Sequence, residues 1–304
     1  MKEKLNWLIK GLAMGAADVV PGVSGGTLAF ILGVYERFLA ALTAINLKAL
    51  NLLRKGRWRT CWQHIDGTFL SILFSGILIS IFSLAGAINY LLEHRPVPLL
   101  ALFNGLILGA LPYLLQPIRF NLKRVLLLGV GVVFAASISF LTPVQTNPAA
   151  WVFFFAGFIA ICAMLIPGIS GTFLLLLMGM YAPVVAAVSD LNVTLLVIFA
   201  SGCVAGLILF SRVLTALLQR FQDSTLALLC GIVIGAFVRL WPWQIDSELM
   251  SPARYAEIMG HTDIIGALIC LGVGFGLIKG LRYLEQMLGK SPAQEIKAAE
   301  KAGD

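Results

Sequence analysis

The sequence predicts an all-α integral membrane protein, built as an inverted-topology repeat in which each half is one re-entrant helical hairpin plus three transmembrane helices. Three observations predict it: a composition that water cannot solvate in folded form, apolar segments of bilayer length, and two Pro-Gly breaks that recur at equivalent places. Of 304 residues, 59% are hydrophobic and only 12% charged, where soluble domains carry about 25% charged residues. The apolar stretches run along the whole length, so a single membrane domain over residues 1–304 is expected, with repeat 1 at about 1–145, repeat 2 at about 146–290 and a cytoplasmic tail at 291–304.

Six segments read as spans: Thr68 to Leu92, Val97 to Leu115, Val125 to Leu141, Val193 to Ser211, Thr225 to Trp241, and Ile264 to Leu281. Each approaches the roughly 20 residues that cross a bilayer. Leu5 to Ile45 and Trp151 to Ser189 are each about twice a span long, and each is interrupted: Pro21-Gly22-Val23-Ser24-Gly25-Gly26 in the first, Pro167-Gly168-Ile169-Ser170-Gly171 in the second. Proline removes a backbone donor and glycine releases the helix, so the chain turns there. We read each region as a re-entrant hairpin, the alternative being two short full spans joined at the surface. The breaks carry no charged loop, which favours a tip inside the membrane.

Charge fixes the orientation. With the N-terminus inside, 18 of the 22 Lys and Arg residues fall on the cytoplasmic side, Arg95, Arg239 and Arg254 fall outside, and Arg37 lies within the first hairpin. That asymmetry obeys the positive-inside rule and puts both termini in the cytoplasm. The net charge of +7 sits in short loops between apolar segments, which argues against a nucleic-acid partner. Cys162, Cys203, Cys230 and Cys270 lie in apolar segments, Cys61 lies in a basic loop, and His64, His94 and His261 are dispersed. No metal site is expected from such spacing. Lys2, Lys4 and Lys10 before an apolar run have the look of a secretory signal, but the run has a mid-chain counterpart.

A shift of 146 residues superposes Pro21, Gly22, Ser24 and Gly25 on Pro167, Gly168, Ser170 and Gly171, and Gly33 and Tyr35 on Gly179 and Tyr181. A shift of 126 puts Ser75-Gly76 on Ser201-Gly202, and Ala101, Gly105, Gly109 and Ala110 on Ala227, Gly231, Gly235 and Ala236. The difference is a basic loop around Lys48 to His64, found only in the first half. Leu128 to Gly131 resembles Leu271 to Gly274. Three spans per half make an odd number of crossings, so the halves are inverted, with a site expected near the midplane at their interface.

The second arm of each hairpin starts at the tip, where unpaired N–H groups and the positive end of the helix dipole gather. Ser24, Gly25, Gly26 and Thr27, with Ser170, Gly171 and Thr172, are therefore the candidate phosphate ligands, and Pro21, Gly22, Pro167 and Gly168 the hairpin breaks. The plainer reading is a tight turn with a serine cap. Asp18, whose counterpart is Met164, is a candidate carrier of H⁺ or Na⁺, or else a cap for the tip's amides. Glu36 and Arg37 either pair with each other or leave Arg37 to meet the anion. The Gly105/Gly109 and Gly231/Gly235 pairs read as helix-packing faces.

Asp18-Val-Val-Pro-Gly-Val-Ser-Gly-Gly-Thr27 with Gly33-Val-Tyr-Glu36, and Ile166-Pro-Gly-Ile-Ser-Gly-Thr172 with Gly179-Met-Tyr181, resemble the two signatures of the PopT-type polyprenyl-phosphate translocases. By motif the resemblance carries over Asp18, Pro21, Gly22, Ser24, Gly25, Gly26, Thr27 and Glu36, then Pro167, Gly168, Ser170 and Gly171. Thr172 and Phe173 depart from the small residue expected after the second Ser-Gly. The resemblance implies a non-enzymatic flippase without a cofactor. Its substrate would be undecaprenyl phosphate, the lipid carrier of cell-wall precursors, returned from the outer to the inner leaflet of the bacterial cytoplasmic membrane. The chain has no Walker-type phosphate loop. Two rivals are a membrane polyprenyl (pyro)phosphate phosphatase and an ion-coupled small-anion transporter. The phosphatase element has Arg where this chain has Gly25, and no paired glutamates lie in an apolar segment.

Overall fold

The computed structural model describes residues 2–20, 24–141, 148–245 and 248–287. Pro21 and Gly22 of the first break, and the tail 291–304, lie outside the described residues. The protein is an all-α membrane protein. Helices α6 (Gly67–His94), α7 (Pro96–Leu115), α8 (Leu122–Ser139) and α12 (Val193–Arg220) are long and apolar enough to cross a bilayer; counting two bent pairs as one span each brings these to six. Helices α6, α7 and α12 contain the segments expected at those places, α12 running on to Arg220, and α8 starts earlier than expected, at Leu122, and stops at Ser139, short of Leu141. α13 (Gln222–Gly235) is shorter than the span expected to reach Trp241, because the chain leaves the helix at Ala236.

The two double-length regions are more broken than expected. In the first, α1 (Lys2–Val19) runs to the Pro-Gly break, and the arm beyond it splits into α2 (Gly25–Ile31) and α3 (Tyr35–Thr43), bent by 117°. In the second, α9 (Ala150–Leu165) precedes α10 (Gly171–Leu177) and α11 (Tyr181–Ser189), bent by 103°. The extra bend sits at Gly33 and Gly179, whose φ values of 70° and 67° lie in the left-handed region that a side chain resists. A seven-residue helix rises only about 10 Å, so α2 and α10 are short inserts and not half-spans. The basic loop of the first half forms two small helices, α4 (Leu47–Arg54) and α5 (Trp58–His64). A two-residue antiparallel ladder, β1 (Gln244–Ile245) with β2 (Glu248–Leu249), and α14 (Pro252–Met259) precede α15 (Ile264–Met287).

The chain forms two compact units, one of residues 1–93 and 117–239, the other of 94–116 and 240–304. In the second, α7 and α15 pack face to face. A Cβ on Gly105 would lie 2.1 Å from the Leu271 carbonyl oxygen, and one on Gly274 would lie 2.2 Å from that of Leu102. Val97, Ala101, Tyr255 and Ala267 form its core, and Arg95 pairs with Asp263 at 3.3 Å.

The first unit repeats the same contact. In α8 and α13, a Cβ on Gly231 would lie 2.1 Å from Leu128 O, and one on Gly131 would lie 2.4 Å from Leu228 O. A second kind of contact also occurs twice. Gly11 and Gly76 bring α1 against α6 over the carbonyls of Leu73 and Leu8, and Gly157 and Gly202 bring α9 against α12 over those of Phe199 and Phe154. Each pair maps onto the other by the two sequence shifts. Lipid offers no hydrophobic drive for helices to associate, so close backbone approach through small residues supplies the packing. The glycines read as packing faces do serve as such.

Candidate functional site

The site grows from the two breaks in the first unit. At the first, Ser24 is extended (φ −131°, ψ 135°) and starts α2, its hydroxyl accepting from the Gly26 amide at 3.2 Å. The Gly25 amide donates to Asp18 Oδ1 at 2.6 Å. Asp18 thus caps α2 with its carboxyl group. A Cβ on Gly25 would lie 2.5 Å from that carboxylate, so a larger residue there would push the Asp18 side chain off the amide.

The first break is also fastened to the second. The last carbonyls of α9 lack helical partners and take them from the other half. Tyr35 Oη donates to Leu165 O at 2.6 Å, and Ser24 Oγ donates to Met164 O at 3.4 Å. In the other direction the Gly168 amide donates to Thr27 Oγ1 at 2.8 Å. Tyr35 is 2% exposed, so Tyr35→Phe leaves a buried carbonyl without its donor. We expect a loss of about 1–3 kcal/mol, read as a lower Tm of the purified protein; an unchanged Tm would mean that this bond is not holding the breaks together.

The second break is chemically different. Gly168, at φ 91°, lies against the Ile232 backbone of α13. Ser170 caps α10, accepting from the Phe173 amide at 3.4 Å. Where Asp18 covers Gly25, the thioether arm of Met164 covers Gly171: a Cβ there would lie 2.6 Å from Met164 Cγ. Beside Ser170 a small open cavity is lined by Gly168, Ser170, Phe173, Ser139 and Arg239. The Arg239 guanidinium stacks on the Phe173 ring at 4.2 Å from its centre. Stacking on an aromatic face holds a planar cation in place.

The remaining expected residues fall elsewhere. Thr172 is exposed. Arg37 does not pair with Glu36. Its guanidinium binds Asp66 at 2.7 Å and Glu3 at 3.5 Å and lies 4.4 Å from the Trp7 ring and 4.6 Å from the Phe69 ring. Glu36 has the Gln222 side chain as its polar neighbour instead. Two residues near the breaks were not singled out from sequence. Arg239 closes a stretch from Thr225 that carries no charge, and a cation at the end of such a span is the signal that marks it. Lys10 is 2% exposed and donates to Leu32 O at 2.9 Å, holding the turn between α2 and α3. It shares a helical stripe with Met14 and Asp18, at i, i+4 and i+8.

These features define a multi-pass α-helical membrane protein with a cation and hydroxyls beside a broken helix. A family profile described as undecaprenyl phosphate translocase-like matches residues 14–258. A protein of Vibrio cholerae named "Polyprenyl-phosphate transporter" is 46% identical over 241 residues, covering 79% of this chain and 78% of its own length. One of Staphylococcus aureus with the same name is 32% identical over 261 residues, covering 79% and 88%. No solved structure matches the chain. The chain belongs to the undecaprenyl phosphate translocase-like family.

Proposed function

We propose that the protein moves undecaprenyl phosphate across the bacterial cytoplasmic membrane, from the outer to the inner leaflet, and that the lipid's phosphate is held at the second break by Arg239 and Ser170. The observation that carries the reading is the Arg239 guanidinium stacked on Phe173 beside the Ser170 and Gly168 cavity. A planar cation with an adjacent hydroxyl is the chemistry of phosphate recognition. The naming of both relatives as transporters favours movement of the lipid over its hydrolysis. No cofactor is assigned.

The halves act as inverted repeats with both termini cytoplasmic, as the Lys and Arg distribution and the twice-repeated glycine contacts suggest. The breaks are re-entrant tips that expose the phosphate to each leaflet in turn. The first tip supports rather than binds: Ser24, Gly25 and Thr27 already have partners in Asp18, Met164 and Gly168.

Asp18 gives the cycle its direction. Its charge lies one break away from the phosphate, and uptake of H⁺ or Na⁺ would remove that repulsion. Asp18→Asn should bind undecaprenyl phosphate yet lose the dependence of transport on a proton or sodium gradient. If ion dependence persists in full, Asp18 is a cap only and Glu36 is the next carrier to test. The function itself is tested by a leaflet-resolved assay in liposomes. Purified protein should accelerate undecaprenyl phosphate crossing while leaving inorganic phosphate outside; entry of inorganic phosphate, or release of it from a polyprenyl pyrophosphate, would overturn the assignment.

A further inference from the structure

The segment joining α3 to α6 has no counterpart in the second half, where residues 190–192 alone join α11 to α12. It holds Lys48, Arg54, Lys55, Arg57 and Arg59, all exposed, and no acidic residue occurs between Glu36 and Asp66. Among the described residues none of the five forms an ion pair. Interleaved with them are apolar side chains that stay largely exposed: Leu47 is 76% exposed, Trp58 69% and Leu50 42%, while Trp62 is 49% exposed with its indole N–H donating to Thr68 Oγ1 at 3.0 Å. The two helices do pack on each other, through the buried Ala49 and Cys61, whose thiol donates to the Ala49 carbonyl at 3.5 Å. That small core does not use the exposed leucines and tryptophans.

Helices of eight and seven residues are too short to persist on their own propensity, and their contact at Ala49 and Cys61 is small, which leaves room for a surface outside the chain. Connectivity says which surface. His64 is three residues from Gly67, where the apolar α6 begins, so the segment starts at the boundary where the bilayer starts. Tryptophan and leucine beside unpaired lysine and arginine is the composition of an interfacial helix, its apolar side chains reaching the acyl boundary and its cations the headgroups. Both parts are complementary to an anionic leaflet, and an acidic soluble protein would leave Leu47 and Trp58 without a solvent.

We propose that α4 and α5 form a docking surface for anionic phospholipid headgroups, present only in the first half of the chain. The surface is separate from the phosphate site and its test needs no transported lipid. The full-length protein is placed in nanodiscs of phosphatidylcholine alone or with added phosphatidylglycerol, and amide hydrogen exchange is followed across 47–64. Exchange should slow by at least about tenfold in the anionic discs, an effect that two of the five cations would already supply at roughly fivefold each, and the gain should fade as salt is raised. The variant K48Q/R54Q/K55Q/R57Q/R59Q should lose the difference while exchange in α8 and α12 stays as in the wild type. Leu47→Ser with Trp58→Ser should raise exchange in both kinds of disc. Equal exchange of the wild type in the two discs, or an undiminished response in the five-fold variant, would overturn the proposal.

Discussion

Arg239→Gln is expected to weaken undecaprenyl phosphate binding by about 1.5–3 kcal/mol, roughly ten- to a hundredfold, the worth of a charge-assisted hydrogen bond to a phosphate. The side chain is held by its stack on Phe173, 4.2 Å from the ring centre, next to Ser170. Arg239→Lys should fall between, since an ammonium keeps the charge but loses the planar face and the forked donors. Phe173→Leu should weaken binding as well, by freeing the guanidinium. The order wild type, then Lys, then Gln, measured by titration of detergent-solubilised protein with the lipid, is the expected result. Equal affinities would remove Arg239 from the site.

Gly231→Val should destabilise the fold by about 2–3 kcal/mol, at the upper end for overpacking. The new Cβ would begin 2.1 Å from the Leu128 carbonyl oxygen, a backbone atom that cannot rotate away, so α13 must move off α8. Ile232 follows directly and packs against Gly168, and Ala236 and Arg239 lie just beyond on the same chain. Loss of stability and loss of lipid binding should therefore appear together. Gly129→Ala on α8 is the control: nothing lies within 4 Å of a Cβ there, and replacing an interior helical glycine with alanine should stabilise by roughly 0.5–1 kcal/mol. Thermal unfolding of the two variants side by side decides it.

The sequence made some of this legible and hid the rest for identifiable reasons. Span positions were readable because lipid forces long apolar runs. The helix contacts were readable because close approach in a membrane needs glycine, and glycine recurred at fixed offsets. The Pro-Gly breaks marked where the chain turns. The second bend at Gly33 and Gly179 was hidden, since a single glycine in an apolar run does not announce its φ. So were the partners of Arg37, because Glu3, Trp7, Asp66 and Phe69 are remote in sequence and only folding gathers them. Arg239 was visible as a charge on the outer side, near the end of the span expected to reach Trp241. Its place beside Ser170 depends on α13 ending at Gly235, earlier than the apolar run suggests.

The claim that the phosphate sits at the second break is tested most directly by photolabelling with a polyprenyl phosphate whose photoreactive group lies in the first isoprene unit, next to the phosphate. Peptide mapping of labelled protein should place the adducts on residues 168–173 and 236–239, with labelling competed by unlabelled undecaprenyl phosphate and reduced in Arg239→Gln. Competed adducts confined to 24–27, or to the unit of residues 94–116 and 240–304, would contradict it.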